Sequence, residues 1–221
     1  MHLFFVYSML GLKVQKDSQT LEEFAEDFCE SFFFFFCLIV MNTKKSAINL
    51  YTFIKENKKD YDFFCLTTFL VPNDRRMKID QIKEALDHEK KIIVISTQLI
   101  EAGVDLSFKY VYRDFGPLDS IVQVAGRCNR NGEYGELGGT MFLLKLTDEE
   151  NNLRFYHSSV YQSILAQYSM QTLYLESYES KDFSEISETY FSKFEFTDKS
   201  GKLINAIRDL NYDVDKEDHL P

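Results

Sequence analysis

Residues 91–130 read KIIVISTQLIEAGVDLSFKYVYRDFGPLDSIVQVAGRCNR. The opening KIIVIS is a short β-branched run of the kind that forms a buried strand in a parallel sheet. Thr97 through Gly103 to Asp105 then falls in a loop at that strand's carboxyl end. Further along, Pro117 followed by Leu118, Ile121, Val122 and Ala125 at helical spacing predicts a helix, which places Arg127 and Arg130 on one face. Two guanidiniums so spaced can address one phosphate group. Parallel α/β sheets bind ligands beyond the carboxyl ends of their strands, so the loop and the arginines are expected to face one crevice.

Working outward, the same alternation repeats. Upstream, Leu21, Phe24, Ala25 and Phe28 recur at helical spacing, with Ser18 or Thr20 able to cap and Glu22 and Glu23 near the positive end of the helix dipole. The run FFFFFCLIVM over residues 32–41 is the most apolar segment. It is too short to cross a bilayer as a helix, which needs about 20 residues, and reads as a buried central strand with part of the preceding connection. Ala47, Leu50, Tyr51 and Ile54 predict a helix capped by Asn42 or Thr43. Residues 63–67 then read as strand, 74–88 as helix, 92–96, 110–115 and 140–146 as strands, and 131–139, rich in glycine, as an exposed turn. Strands separated by helices imply right-handed crossovers and a parallel sheet. Beyond Thr147 helical spacings dominate and tyrosines are frequent, with aromatics at such spacings read as packing residues.

The chain has 221 residues, room for one well-filled core and a small appendage. Its formal charge of −10, from 35 acidic and 25 basic residues, argues against nucleic-acid binding through net electrostatics, so any such contact must be local. Cys29, Cys37, Cys65 and Cys128 lie far apart and no histidine joins them at ligand spacing. Neither a zinc site nor a disulfide framework is suggested, no metal is assigned to this chain, and a reducing cytosol is the expected location. The apolar start, MHLFFVYSMLGL, lacks the basic leader and small-residue cleavage site of a signal peptide.

The pattern T-x-x-x-x-x-G-x-D followed by Q-x-x-G-R-x-x-R resembles the fifth and sixth motifs of superfamily 2 helicases. The wording STQLIEAGVDLSF, VYRDFGPLDSIVQVAGRCNRNGE and IVMNTKKSA is similar to the helicase of type I CRISPR systems, which unwinds and degrades invader DNA marked by a guide-RNA complex. The resemblance spans about residues 20–190. It implies an α/β fold, a RecA-like parallel sheet flanked by helices of the helicase C-terminal domain type, with a mostly helical C-terminal extension. The expected division is a lead-in with an amphipathic helix over 1–31, the second RecA-like domain over 32–147 and a truncated helical connector over 148–221.

The resemblance also implies roles. Thr97 lies near the junction of nucleic acid and nucleotide, Gly103 lets backbone approach closely, and Asp105 touches the ribose or the coupling network; a carboxylate can accept ribose hydroxyls and a glycine clears space. Arg130 is the expected arginine finger, Arg127 the residue beside it on the γ-phosphate, and Gln123 the link from hydrolysis to domain closure. The planar guanidinium binds phosphate oxygens bidentately, which lysine cannot do. Asn42 and Thr43 match a motif that meets a phosphate of the tracked DNA strand, although helix capping explains both nearly as well. Arg75 and Arg76 match the next DNA-facing segment more loosely.

No G-x-x-x-x-G-K-[ST] occurs in the 221 residues, and no D-E-x-H or D-E-A-D follows a strand. ATP is therefore expected at a shared site needing a first RecA-like domain, with Mg2+ held only through that domain. The expected partners are single-stranded DNA, a guide-RNA surveillance complex, and first RecA-like and nuclease domains supplied in cis or in trans, with no membrane. The reading is of a half-motor inactive alone, cut at both ends. Its alternatives are a non-catalytic nucleic-acid or guide-complex binding module, or the second half of another superfamily 2 translocase.

Overall fold

The computed structural model describes residues 10–100, 104–130, 132–135, 138–149 and 153–194. Among the described residues ten strands and six helices follow one another. They are β1 (Leu10–Val14), β2 (Gln19–Thr20), α1 (Leu21–Ser31), β3 (Phe36–Val40), α2 (Lys44–Asn57), β4 (Asp62–Leu66), α3 (Pro72–Asp87), β5 (Ile92–Ser96), β6 (Tyr110–Asp114), α4 (Leu118–Ala125), β7 (Gly139–Leu144), β8 (Leu146–Asp148), β9 (Arg154–Phe155), α5 (Ser163–Thr172), β10 (Ser177–Glu179) and α6 (Phe183–Ser192). Seven strands form the main sheet in the order β10-β1-β7-β6-β3-β5-β4. Every pairing is parallel except β10 on β1. A small second sheet joins β2, β8 and β9.

The middle of the sheet shows why these runs become strands. In β3, Leu38 and Val40 enter one core cluster while Cys37 and Ile39 enter the other, all with no exposure. Burial on both faces is the condition under which a parallel strand reads as a continuous apolar run. Helices α1 and α2 cover one face, through Phe24, Phe28, Leu50 and Ile54. Helices α3, α4, α5 and α6 cover the other, through Ile82, Ile121, Ala166 and Ile186.

Local signals fix the helix starts. Thr20 caps α1 in a capping box, its hydroxyl accepting from the Glu23 amide at 3.1 Å while the Glu23 carboxylate accepts from the Thr20 amide at 2.8 Å. Thr43 caps α2, its hydroxyl accepting from the Ser46 amide at 3.0 Å. The phenylalanine run is divided. Phe32 closes α1 and stacks on Phe28 with ring centres 4.6 Å apart, Phe33, Phe34 and Phe35 are exposed, and Phe36 begins β3.

The main sheet has two strands more than the five read in the sequence between residues 32 and 146, because each flanking segment adds one. β1 pairs with β7 in register from Leu10 on Gly139 to Val14 on Leu143. β10 then closes the edge beyond it, antiparallel. The tyrosines of the last segment are partly structural: Tyr178 and Tyr190 sit in the core, whereas Tyr174 is exposed.

Candidate functional site

All parallel strands end on one edge, so the connections after β3, β4, β5 and β6 lie along it. The connection after β5 turns at once. Thr97 is buried, its amide donating to the Leu66 carbonyl at 3.1 Å, and residues Gln98–Ile100 make a 3-10 turn. Gly103 lies outside the described residues. Asp105 emerges beyond it with 70% of its side chain exposed.

The segment bearing the arginines differs from the expected helix face. Helix α4 stops at Ala125 with Gly126 as its cap, and the Arg127 and Cys128 amides donate to Val124 and Ala125 in tighter turns. Asn129 is left-handed, with φ of 49°. Glycine weakens the helix there, and the following backbone is drawn into strand-like pairing with Phe108. The Phe108 amide donates to the Arg127 carbonyl at 2.9 Å and the Asn129 amide to the Phe108 carbonyl at 2.9 Å. Arg127 and Arg130 are therefore on a turn clipped to the preceding loop, not three apart along a helix.

That clip brings the expected nucleotide residues together. Arg127 is only 7% exposed, and its Nε donates to the Ile100 carbonyl at 3.0 Å, tying the arginine turn to the loop after β5. Arg130 reaches Asp105, Nε to Oδ1 at 3.1 Å, with 39% of the arginine side chain exposed. Gln123 is exposed on α4, one helical turn before the arginines. Close packing supports the turn from beneath: a Cβ on Gly139 would lie 2.5 Å from the Cys128 Sγ and 3.0 Å from the Asn129 Cβ.

The residues expected on the DNA side divide differently. Asn42 is buried, and its amide is spent inside the protein. Its Nδ2 donates to Asp114 Oδ2 at 2.6 Å and to the Phe115 carbonyl at 2.7 Å, while its Oδ1 accepts from Arg113 Nη1 at 2.7 Å. The expected phosphate contact of Asn42 is corrected on this ground: a side chain holding a buried Arg–Asp pair has no surface to offer. Thr43 remains at the start of α2, partly exposed and engaged as the cap. Arg75 is half-buried and its Nη2 donates to the Leu70 carbonyl at 3.4 Å, bracing the connection after β4.

Sequence reasoning missed two features. Lys44 lies over the ring of Phe69 at 4.4 Å, and Phe69 is 67% exposed, so a cation and an aromatic stand together between the ends of β3 and β4. Arg113 and Asp114 form the other, wholly buried beneath the site. Burial pushes the Asp114 carboxyl up to about 7, against the opposing pull of Arg113, the Leu146 amide and Asn42. An arginine and an aspartate at the end of a strand resemble any solvated pair in sequence. Among the described residues no group of three acidic, histidine or cysteine side chains could hold a metal ion. No helix among them is long and apolar enough to cross a membrane.

Comparison with known proteins follows this geometry. The family described as "CRISPR-associated nuclease/helicase Cas3, C-terminal" matches residues 35–133, which run from the Phe36 strand through the arginine turn. A CRISPR-associated nuclease/helicase Cas3 of Haloferax volcanii is 54% identical over 82 residues, covering 36% of this chain and 9% of the relative. One of Methanothermobacter thermautotrophicus is 28% identical over 182 residues, covering 80% of this chain and 21% of the relative. The chain thus spans about a tenth to a fifth of the length of these relatives. The crystal structure of T. fusca Cas3-ATP superposes with a TM-score of 0.67 at 17% identity, over 91% of this chain and 26% of that one. Over residues 35–133 the chain is similar to the C-terminal part of CRISPR-associated nuclease/helicase Cas3, and its sheet has the RecA-like fold of the solved Cas3 structures.

Proposed function

We propose that this chain supplies the arginine wall of an ATP site shared between two RecA-like domains of a CRISPR DNA helicase, in the cytoplasm. The observation that carries the reading is the Arg130–Asp105 pair at the rim of the clipped loop and turn. An exposed ion pair of this kind is weak, about 0–1 kcal/mol, so Arg130 can leave Asp105 for a phosphate at little cost. Arg130 then acts as the finger, stabilising charge on the transferred phosphoryl oxygens. Asp105, released, is free to accept ribose hydroxyls, with Gly103 allowing the close approach. Arg127, anchored on the Ile100 carbonyl, holds the finger's backbone in place and contributes positive charge beside the γ-phosphate. Gln123 faces outward, where a second domain would close.

Such a site grips ATP and Mg2+ through a first RecA-like domain, in cis or in trans, since neither a phosphate loop nor a D-E-x-H pattern occurs in these residues. Single-stranded DNA would run past the ends of β3 and β4, over Thr43 and the Lys44–Phe69 pair, with the buried Thr97 supporting the loop from beneath and Arg75 bracing the connection after β4. A local cation and aromatic suit a strand better than net charge does in a chain of −10. Recruitment by a guide-RNA surveillance complex and delivery of the strand to a nuclease domain belong to the same reading.

Mixing the chain with a first RecA-like domain bearing a phosphate loop tests the proposal. DNA-stimulated ATP turnover, absent from either part, is the expected result. DNA binding without turnover would favour a non-catalytic binding module, for which the Lys44–Phe69 pair is the supporting observation.

A further inference from the structure

Beneath the site, one hydroxyl from the segment after the RecA-like sheet touches three separate elements. Tyr161 follows a 3-10 turn, Tyr156–Ser159, and its amide donates to the His157 carbonyl at 2.9 Å. His157 is buried, stacks on Phe155 with ring centres 5.2 Å apart and meets the edge of Phe115 at 5.8 Å, which seats this turn on the β6–α4 corner. The Tyr161 ring fills the space left by Gly116, where a Cβ would stand 3.2 Å from its Cε2. The Tyr161 hydroxyl accepts from Gln98 Nε2 at 2.7 Å and from Arg113 Nη2 at 3.1 Å, and lies 3.4 Å from the Ser120 hydroxyl. Gln98 opens the 3-10 turn of the loop after β5, Arg113 is the next-to-last residue of β6, and Ser120 is in the first turn of α4.

Both nucleotide-handling elements therefore meet at one oxygen atom supplied from outside them. Arg113 cannot give up its charge, and with no exposure its guanidinium must keep its acceptors. That requirement holds Tyr161 in place and, through it, Gln98. We propose that Tyr161 is a positioning residue: its hydroxyl sets the loop carrying Asp105 against the helix that leads to Arg127 and Arg130, so the segment following the sheet controls the spacing of the two halves of the site. The inference deepens the proposed shared ATP site and rests on that reading for its catalytic consequence. A displacement of about an ångström between such elements is enough to weaken a transferring geometry.

Hydrogen exchange on the full 221-residue chain tests the positioning without any activity. Tyr161→Phe keeps the ring and removes the oxygen. Exchange across residues 97–109 should quicken about fivefold to tenfold, with β3 and β5 unchanged. Gln98→Leu should quicken the same residues, and the double variant should go no further than Tyr161→Phe alone, because the phenylalanine already lacks the oxygen that Gln98 reaches. Unchanged exchange at 97–109, a uniform rise across the sheet, or additive effects would each overturn the proposal. In the reconstituted motor, Tyr161→Phe should lower DNA-stimulated kcat about fivefold while the KM for ATP holds; equal kcat would refute the catalytic consequence. If the unsubstituted mixture shows no turnover, the shared-site reading fails, and the exchange data still decide whether Tyr161 positions the loop.

Discussion

Arg127 and Arg130 belong to one short motif yet are held in opposite ways, and substitution should separate them. Arg127 is buried on the Ile100 carbonyl, so Arg127→Ala should cost about 1–3 kcal/mol in urea unfolding. Arg130 sits at the rim on an exposed aspartate, so Arg130→Ala should stay within about 1 kcal/mol. Asp114 makes a second prediction at this scale. Its folded-state value, raised by burial to about 7, lies above the unfolded 3.8. Between those two values the folded protein binds the extra proton, so this group's contribution falls as pH rises from about 4 to about 7 and is flat above. Urea midpoints from pH 5 to 8 should fall more steeply in the parent than in Asp114→Asn, and the Asp114 carboxyl carbon should titrate near neutrality by NMR.

At the scale of elements, the end of the loop after β5 and the turn after α4 are joined by the Phe108–Cys128 backbone pairing and packed on Gly139. A methyl group at Gly139 would press on Cys128 and Asn129. Gly139→Ala should destabilise by about 1–3 kcal/mol, and Cys128→Ala in that background should restore part of the loss, read by thermal unfolding. Strands β3 and β5 were legible as sequence because parallel strands buried on both faces are unbroken apolar runs, and β4, β6 and β7 from the alternation of strand with helix around them. β1 and β10 were not, since LGLKV becomes a strand only by pairing with β7, more than a hundred residues away, and SYE only by pairing with β1. The Asp105–Arg130 meeting followed from the two motifs and their place on the sheet. Asn42 was misjudged because its partner Arg113 is 71 residues distant and nothing local marks it as buried. The arginines were misplaced on a helix because Gly126 ends it one residue too soon for them.

Considered as a whole molecule, the described residues form a seven-stranded main sheet with a core cluster on each face, and a small second sheet beside it. Its net charge of −10 repels nucleic acid broadly, so the DNA contact proposed at the strand-end cluster would have to be local. Binding of single-stranded DNA should accordingly be weak and lost with Lys44→Glu or Phe69→Ala, by fluorescence anisotropy at low salt. The central claim is that Arg130 completes an ATP site whose phosphate grip lies in another domain. The direct measurement is steady-state ATP hydrolysis, with single-stranded DNA, by this chain mixed with a first RecA-like domain, comparing the parent with Arg130→Ala. No turnover is expected from the chain alone, turnover from the mixture, and a loss in kcat of roughly a thousandfold on substitution. DNA-stimulated hydrolysis by the chain alone, or a mixture indifferent to Arg130→Ala, would contradict the claim.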